Sequence, residues 1–295
     1  MKSLGLWMKR EKMSERPSDG PIIGDFSQIS SICREAQVDR IIVALDERRG
    51  KLPLDQLLEC RLRGVRVEEG VGFSESLTGK LMVENLRPSS LIFADGFRRS
   101  QLIKQLKRYF DIGASLLTLI FSLPCVLAVS IAILWESKGP IFYRQERVGQ
   151  DGKVFFLLKF RSMRVDAEGD EPVWAGVDDS RVTRVGKIIR KLRLDEIPQV
   201  INVLKGEMSF VGPRPERPFF TEKLIQEIPF YSHRHTVKPG ITGWAQICYP
   251  YGASKEDALE KLKYDLYYVK HMSPYMDFMI LLETFKTVLF GRGSR

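Results

Sequence analysis

The sequence predicts an α/β protein: an α+β body carrying a long apolar helix interrupted by proline, preceded by a small α/β fragment. Three observations predict it. Helix-like and strand-like patterns alternate between Pro21 and Phe97, an uncharged run from Ile112 to Trp135 contains Pro124 near its middle, and two strand-like runs after Gly139 give way to amphipathic helical patterns. At 295 residues there is room for roughly two domains, or one domain with an appendage. A hydrophobic fraction of 44% and a charged fraction of 28% are those of a globular chain, which excludes disorder as the main theme. The net charge of +9 and pI near 9.3 imply an anionic partner: nucleic acid, an anionic membrane surface or phosphate-bearing small molecules. Cys33, Cys60, Cys125 and Cys248 are scattered without CxxC spacing, so zinc is not indicated and a reducing environment is the simplest reading. The start, MKSLGLWMKREKM, lacks the apolar core of a signal peptide, which argues against secretion by that route.

Taken in order, Ser27 to Gln37 reads as a helix, Asp39 to Leu45 as a strand, Pro53 to Arg63 as a helix and Val65 to Val67 as a short strand. That makes residues 1–96 a partial Rossmann-like α/β domain. Gly20 and Gly24 do not form a GxGxxG turn, so a structural or regulatory role is expected rather than nucleotide binding.

Between Phe97 and Phe110, Arg98, Arg99, Lys104, Lys107 and Arg108 interleave with Leu102, Ile103, Leu106 and Tyr109, the pattern of an interfacial amphipathic helix. The apolar run that follows exceeds the roughly 20 residues a bilayer crossing needs. Its far flank is just as basic, with Lys138, Arg144, Arg147, Lys153 and Lys159, and the positive-inside rule then asks for both flanks on one side. A helix broken at Pro124 that enters one leaflet and returns meets that demand and is the favoured reading, with a kinked single crossing and a wholly buried soluble helix as the alternatives. The carbonyl freed near Ile120 needs a partner inside lipid, and Ser122 is the expected one. Residues 97–137 are thus expected to form the interfacial and re-entrant membrane element.

PIFYRQERVG and KVFFLLKFRSM predict a hairpin turning at Gln150 to Gly152, and Val182 to Lys191 predicts a helix. Next comes an adjacent acid pair, Asp195 and Glu196. Ile197, Val200, Ile201 and Leu204 recur at helical spacing and Pro198 is tolerated only in a first turn, so the helix is expected to begin near Asp195, with Asp195 as its N-cap. A carboxylate there feels the positive end of the helix dipole. Beyond Pro215, a loop or helix leads to tight turns expected at Pro239, Gly240 and Gly243, followed by helices over Glu256 to Val269 and Tyr275 to Phe290.

An isolated Asp-Glu pair is most simply a cap, but cations surround this one. Lys159, Arg161 and Arg190 precede it and Arg214 follows, making these four the candidate substrate-binding residues. Arginine's planar fork suits phosphate oxygens, and Pro213-Arg214-Pro215 fixes the projection of one guanidinium through two rigid φ angles. Two carboxylates in such surroundings can hold a divalent metal that bridges phosphates, as Mg²⁺ does with one or two carboxylates. Alternatively, one attacks phosphorus while the other orients a metal or acts as a base. His233 and His235 read as structural rather than metal-ligating, and Trp244, Tyr249 and Tyr251 as packing, a base-stacking platform or a membrane-interface belt.

The basic helix with its proline-broken run, together with PIFYRQERVG, KFRSM, LRLDEIPQVINVLKGEMSFVGPRP and KPGITGWAQ, resembles the bacterial sugar transferases known as monotopic phosphoglycosyl transferases over roughly residues 99–295. The resemblance implies transfer of a sugar-1-phosphate from a UDP-sugar to polyprenyl (undecaprenyl) phosphate with release of UMP, the initiating step of exopolysaccharide or related glycan synthesis. It implies that Asp195 is the nucleophile of a covalent phosphosugar intermediate, assisted by Glu196 and Mg²⁺, with Asp195 also a metal ligand. Lys159, Arg190 and Arg214 match phosphate and nucleotide contacts. Residues 138–295 would be the catalytic domain, on the cytoplasmic side of the bacterial inner membrane. The expected partners are the UDP-sugar, undecaprenyl phosphate and the lipid bilayer, with no nucleic acid; the α/β fragment is a candidate homodimer surface. Two departures stand out: Leu123 occupies the place of the family's serine before Pro124, with Ser122 nearest, and the transmembrane helices that open the larger members are not found ahead of the α/β fragment, as in a shortened form. YPYGAS and the ending FGRGSR also look like the exopolysaccharide subgroup. The rival reading is a non-catalytic, membrane-tethered assembly protein whose basic face binds anionic lipid.

Overall fold

The computed structural model describes residues 7–8, 22–44, 52–83, 100–164, 181–249, 252 and 254–289. The chain divides into two compact units, Met1–Gly79 and Lys80–Arg295.

In the first unit, Trp7–Met8 (β1) pairs in parallel with Ile22–Gly24 (β2). Asp25 and Gln28 form a capping box ahead of α1, Ile29–Glu35. Next come β3 (Arg40–Val43), α2 (Leu54–Leu62), β4 (Arg66–Glu69) and α3 (Gly70–Thr78), with β3 and β4 parallel and Ile41 opposite Val67. The sequence alternation matches this order; α3 carried no signal of its own. Ile29, Cys33, Leu57 and Cys60 close a small core between helices and strands.

The second unit opens with α4, Gln101–Glu136, whose N-terminus is capped by Ser100. Arg98 and Arg99 of the expected basic helix lie outside the described residues. The helix continues through Pro124, so the chain is not divided there into two separate helices. A proline deletes one ladder bond and leaves the turns on either side able to hold. Ser122, the expected partner for the freed carbonyl, is a correction: its Oγ is buried and makes no hydrogen bond. Leu116, Leu117, Ile120, Phe121, Leu123, Leu127, Ile131, Leu134 and Trp135 are exposed, while Asp111, Ser115, Val129 and Ile133 are buried. By length and composition α4 is able to cross a membrane.

β5 (Phe142–Val148) and β6 (Val154–Phe160) form the expected antiparallel hairpin, turning through Asp151 at φ 55° and Gly152 at φ 76°. After α5 (Arg184–Lys191) and α6 (Gln199–Lys205), β7 (Ser209–Val211) pairs in parallel with β8 (Gly240–Thr242). Between these strands lies α7 (Pro218–Glu227), and the chain proceeds through α8 (Trp244–Cys248), α9 (Lys255–His271) and α10 (Pro274–Leu289). Gly240 and Gly243 are not the tight turns expected. Gly240 opens a strand, and both it and Gly243 face Gly212 so closely that a Cβ on either would meet the Gly212 backbone.

That close approach fixes the Pro213-Arg214-Pro215 segment, whose three carbonyls are all engaged. Gly240 N donates to Pro213 O (2.9 Å), Arg234 Nη2 to Arg214 O (2.9 Å) and Arg147 Nη1 to Pro215 O (3.1 Å). Arg234 is itself buried, donating to Tyr231 Oη (2.6 Å) and paired with buried Asp265 at 2.8 Å. Removing one partner of such a pair strands the other charge in the core. Asp265→Asn is therefore expected to cost about 3 to 5 kcal/mol of stability by denaturant unfolding, while Thr221→Val, at a buried hydroxyl with no partner, is expected to be close to neutral.

Candidate active site

The acid pair sits between α5 and α6. Arg193 ends the first of these segments in the left-handed region (φ 58°), and Leu194–Glu196 then form a single 3₁₀ turn. Successive i→i+3 bonds, Ile197 N to Leu194 O (3.2 Å), Val200 N to Ile197 O (3.1 Å) and Ile201 N to Pro198 O (3.0 Å), lead into α6. The helix therefore begins at Gln199, not near Asp195, and Asp195 is not its N-cap. Its side chain receives none of the α6 amides, because the left-handed Arg193 and the donor-less Pro198 put a tight turn in the place of the first helical turn.

Three cations meet on Glu196. Lys159 Nζ and Arg214 Nη2 each lie 3.4 Å from its Oε1, and Arg193 Nη1 lies 3.9 Å from its Oε2. Burial alone raises the Glu196 pKa, but Lys159, Arg214 and Arg193 outweigh it and hold the carboxyl at about 2. Burial pushes the Lys159 ammonium down, and Glu196 opposes that shift. Asp195 is 8% exposed. Burial pushes its pKa above the ordinary aspartate value, Glu196 adds to the rise, and Lys159, Arg190 and Arg214 pull against it. Among the described residues no hydrogen bond or ion pair engages the Asp195 side chain. The adjacent carboxylates are thus unlike: Glu196 is engaged by three cations, and Asp195 is a buried carboxyl, uncommitted among the described residues, whose pKa burial raises against the pull of nearby cations.

Of the other sequence-derived candidates, Lys159 and Arg214 are brought to the acid pair. Arg190 donates from Nε to Ser162 Oγ (2.9 Å), which leaves its charge within reach of Asp195. Arg161 is used elsewhere. Its guanidinium donates to Lys138 O (3.1 Å), Ser137 O (2.7 Å) and Ser137 Oγ (2.9 Å), tying down the residues that follow α4. His233 and His235 lie in the turn Tyr231–Thr236, and burial with the neighbouring Arg234 pushes His235 down to about 4. Trp244 stacks on Tyr267 with ring centroids 6.3 Å apart, and Tyr249 donates to Asp257; Tyr251 lies outside the described residues.

Sequence reasoning missed Asn202. Completely buried, it accepts from Leu158 N (3.0 Å) and donates to Phe156 O (2.8 Å), fastening α6 to the strand that carries Lys159. A polar residue between buried Val200 and Val203 was the available signal.

For a metal, the described residues contain no group of three or more His, Cys, Asp or Glu. The donor set is the acid pair alone, with Glu196 already neutralised by cations and Asp195 open. That suits Mg²⁺, which takes one or two carboxylates and completes its shell with substrate phosphate and water.

The family model for bacterial sugar transferases matches residues 102–291. A UDP-N-acetylgalactosamine-undecaprenyl-phosphate N-acetylgalactosaminephosphotransferase of Aeromonas hydrophila is 41% identical over 239 residues, covering 81% of this chain and 56% of that protein. An undecaprenyl-phosphate glucose phosphotransferase of Komagataeibacter xylinus is 35% identical over 280 residues, covering 92% and 52%. A Bacillus subtilis protein described as a putative undecaprenyl-phosphate N-acetylgalactosaminyl 1-phosphate transferase is 54% identical over 129 residues, covering 44% and 72%. The chain thus spans about half the length of the first two relatives.

Proposed function

The chain belongs to the bacterial sugar transferase family, and on that premise we propose that it transfers a sugar-1-phosphate from a UDP-sugar to undecaprenyl phosphate, beginning the assembly of a surface polysaccharide. The observation that carries this reading is the inequality of the two acids: a buried, unpaired Asp195 beside a Glu196 that three cations keep ionised. No hydrogen bond or ion pair among the described residues commits the Asp195 side chain, and Lys159, Arg190 and Arg214 act on it through their charge.

In this mechanism an Asp195 carboxylate oxygen attacks the β-phosphorus of the donor. The bond to the α-phosphate oxygen breaks, and UMP departs with that oxygen. An oxygen of undecaprenyl phosphate then attacks the same phosphorus, displacing Asp195 and forming the lipid diphosphate sugar. Arg214, Arg190 and Lys159 offset charge on the phosphoryl oxygens, which is where most catalysis of phosphoryl transfer resides. Mg²⁺ held by Asp195, with Glu196 beside it, would add positive charge at those same oxygens.

The same reading makes α4 a re-entrant element that turns back by bending at Pro124, where one ladder bond is missing, without a break in its helical turns. Its first half is bound through Lys107, Arg108 and Asp111 to residues 203–211 and Asp277, and its last half packs Val129 and Ile133 on Phe160 and Ile189. Both ends thus hold the same polar unit, while the span from Leu116 to Leu127 between them presents exposed apolar side chains. A bilayer-spanning helix would need its ends on opposite faces. These contacts support the proposal that catalysis occurs at the inner face of the cytoplasmic membrane, with residues 97–137 as the membrane element and 138–295 as the catalytic domain.

Incubating the purified chain with a labelled UDP-sugar and no acceptor is expected to yield a covalent phosphosugar adduct and UMP. Asp195→Asn is expected to abolish both adduct and turnover, and near-normal turnover would refute the nucleophile. Asp195 must be ionised to attack, so the first half-reaction loses rate as pH falls through its raised pKa. Because Glu196 contributes to that rise, Glu196→Gln is expected to move the acid limb to lower pH; Lys159→Gln removes an opposing cation and is expected to move it higher. In a background without the native cysteines, single cysteines at Gln101 and Gly139 are expected to react with an impermeant maleimide from the same face of sealed vesicles, and labelling from opposite faces would rule out re-entry.

A further inference from the structure

Each helix flanking the acid pair is capped at its far end by α4. At the N-terminus of α5, Glu136 accepts Arg184 N on Oε1 (2.7 Å) and Val185 N on Oε2 (2.9 Å). At the C-terminus of α6, Arg108 donates from Nη1 to Val203 O and from Nη2 to Leu204 O, both at 2.6 Å. The signs match the helix ends, a carboxylate on orphan amides and a guanidinium on orphan carbonyls. Helix caps are ordinarily supplied by neighbours in sequence, as Thr183 does for α5 through Gly186 N (2.9 Å). These two come from 48 and 95 residues away, one from each half of the membrane helix.

Neither residue touches the acid pair. Each grips one end of the rigid α5–turn–α6 segment that carries it, so the position of Asp195 is referenced to α4 at two points. Further bonds hold the same frame. Asp111 accepts from Ser209 Oγ (3.0 Å) and Phe210 N (3.1 Å) just beyond α6, and Arg161 binds Ser137 and Lys138 just beyond Glu136. We propose that Glu136 and Arg108 are positioning residues that set the height of Asp195 above the bilayer, and so control delivery of the phosphosugar to the lipid-borne acceptor rather than reaction with the soluble donor. The proposal rests on the phosphosugar-transfer reading above.

The two half-reactions separate these effects. Full-length chain in lipid nanodiscs is charged with UDP-N-acetylgalactosamine or UDP-glucose, UMP release is timed without acceptor, and the adduct is then discharged with undecaprenyl phosphate. For Glu136→Gln and Arg108→Gln, UMP release is expected to stay within about twofold of wild type while discharge slows about tenfold or more, a misplacement of about 1 Å being enough to cost about a hundredfold. Arg108→Lys, which keeps the charge and loses the fork, is expected to fall between. With farnesyl phosphate in detergent, an acceptor that arrives from solution, the discharge defect is expected to vanish. Normal charging by each variant also serves as its folding control. Equal loss in both halves, no loss in either, or a defect that persists with farnesyl phosphate would overturn the proposal. Failure of the wild type to form an adduct with either donor would instead sink the transfer reading on which it stands.

Discussion

A largely buried carboxylate that stays ionised is the constraint from which the rest of the candidate site follows. Glu196 has lost most of its hydration, and only Lys159, Arg214 and Arg193 make its charge tolerable. The dependence is mutual. Those three cations come from a strand, a proline-flanked loop and a left-handed turn, and without a common anion they would repel one another. One carboxylate therefore gathers two distant segments onto its own turn, leaving its neighbour Asp195 buried, raised in pKa and unclaimed among the described residues.

The rigidity of the surroundings serves that arrangement. Arg214 is aimed less by the fixed φ angles of its prolines than by the bonds on all three carbonyls of its segment, one of them from Arg234, whose charge is met by Asp265. Gly212, Gly240 and Gly243 let two backbone runs approach closely enough to make one of those bonds. Asn202 does the same work on the other side, tying α6 to β6 through two backbone groups. The candidate site is thus carried by backbone contacts, and its functional side chains project from a frame with little freedom to shift.

Local signals explain what was legible in the sequence. Period and turn chemistry identified the β5–β6 hairpin, α5, α9 and α10, and the two-strand alternation of the first unit, because each of those patterns is complete within a short window. The clustering of Lys159 and Arg214 about the acid pair was legible as charge, although the assignment of different tasks to Asp195 and Glu196 came from family resemblance. What was not legible depends on partners distant in sequence. Asp195 looked like an N-cap because nothing nearby announces that Arg193 adopts a left-handed conformation. Gly240 looked like a turn because its reason is Gly212, and the bonds from Arg161 to Ser137 and Lys138 gave no sequence signal because those partners lie more than 20 residues away. Ser122 was expected to satisfy a carbonyl and instead is buried without a partner.

The long reach of the α4 contacts bears on how the chain acquires its fold. Arg108 meets carbonyls 95 and 96 residues further on, and Lys107 meets Asp277 across 170 residues. During synthesis α4 emerges before the segments that cap onto it, so its long-range partners are met late. On the re-entrant reading proposed above, its apolar span partitions into lipid in that interval and the later helices fold against arms already anchored. Membrane insertion is then an early folding step of the unit Lys80–Arg295, with the bilayer as a template on which the rest of the unit is ordered.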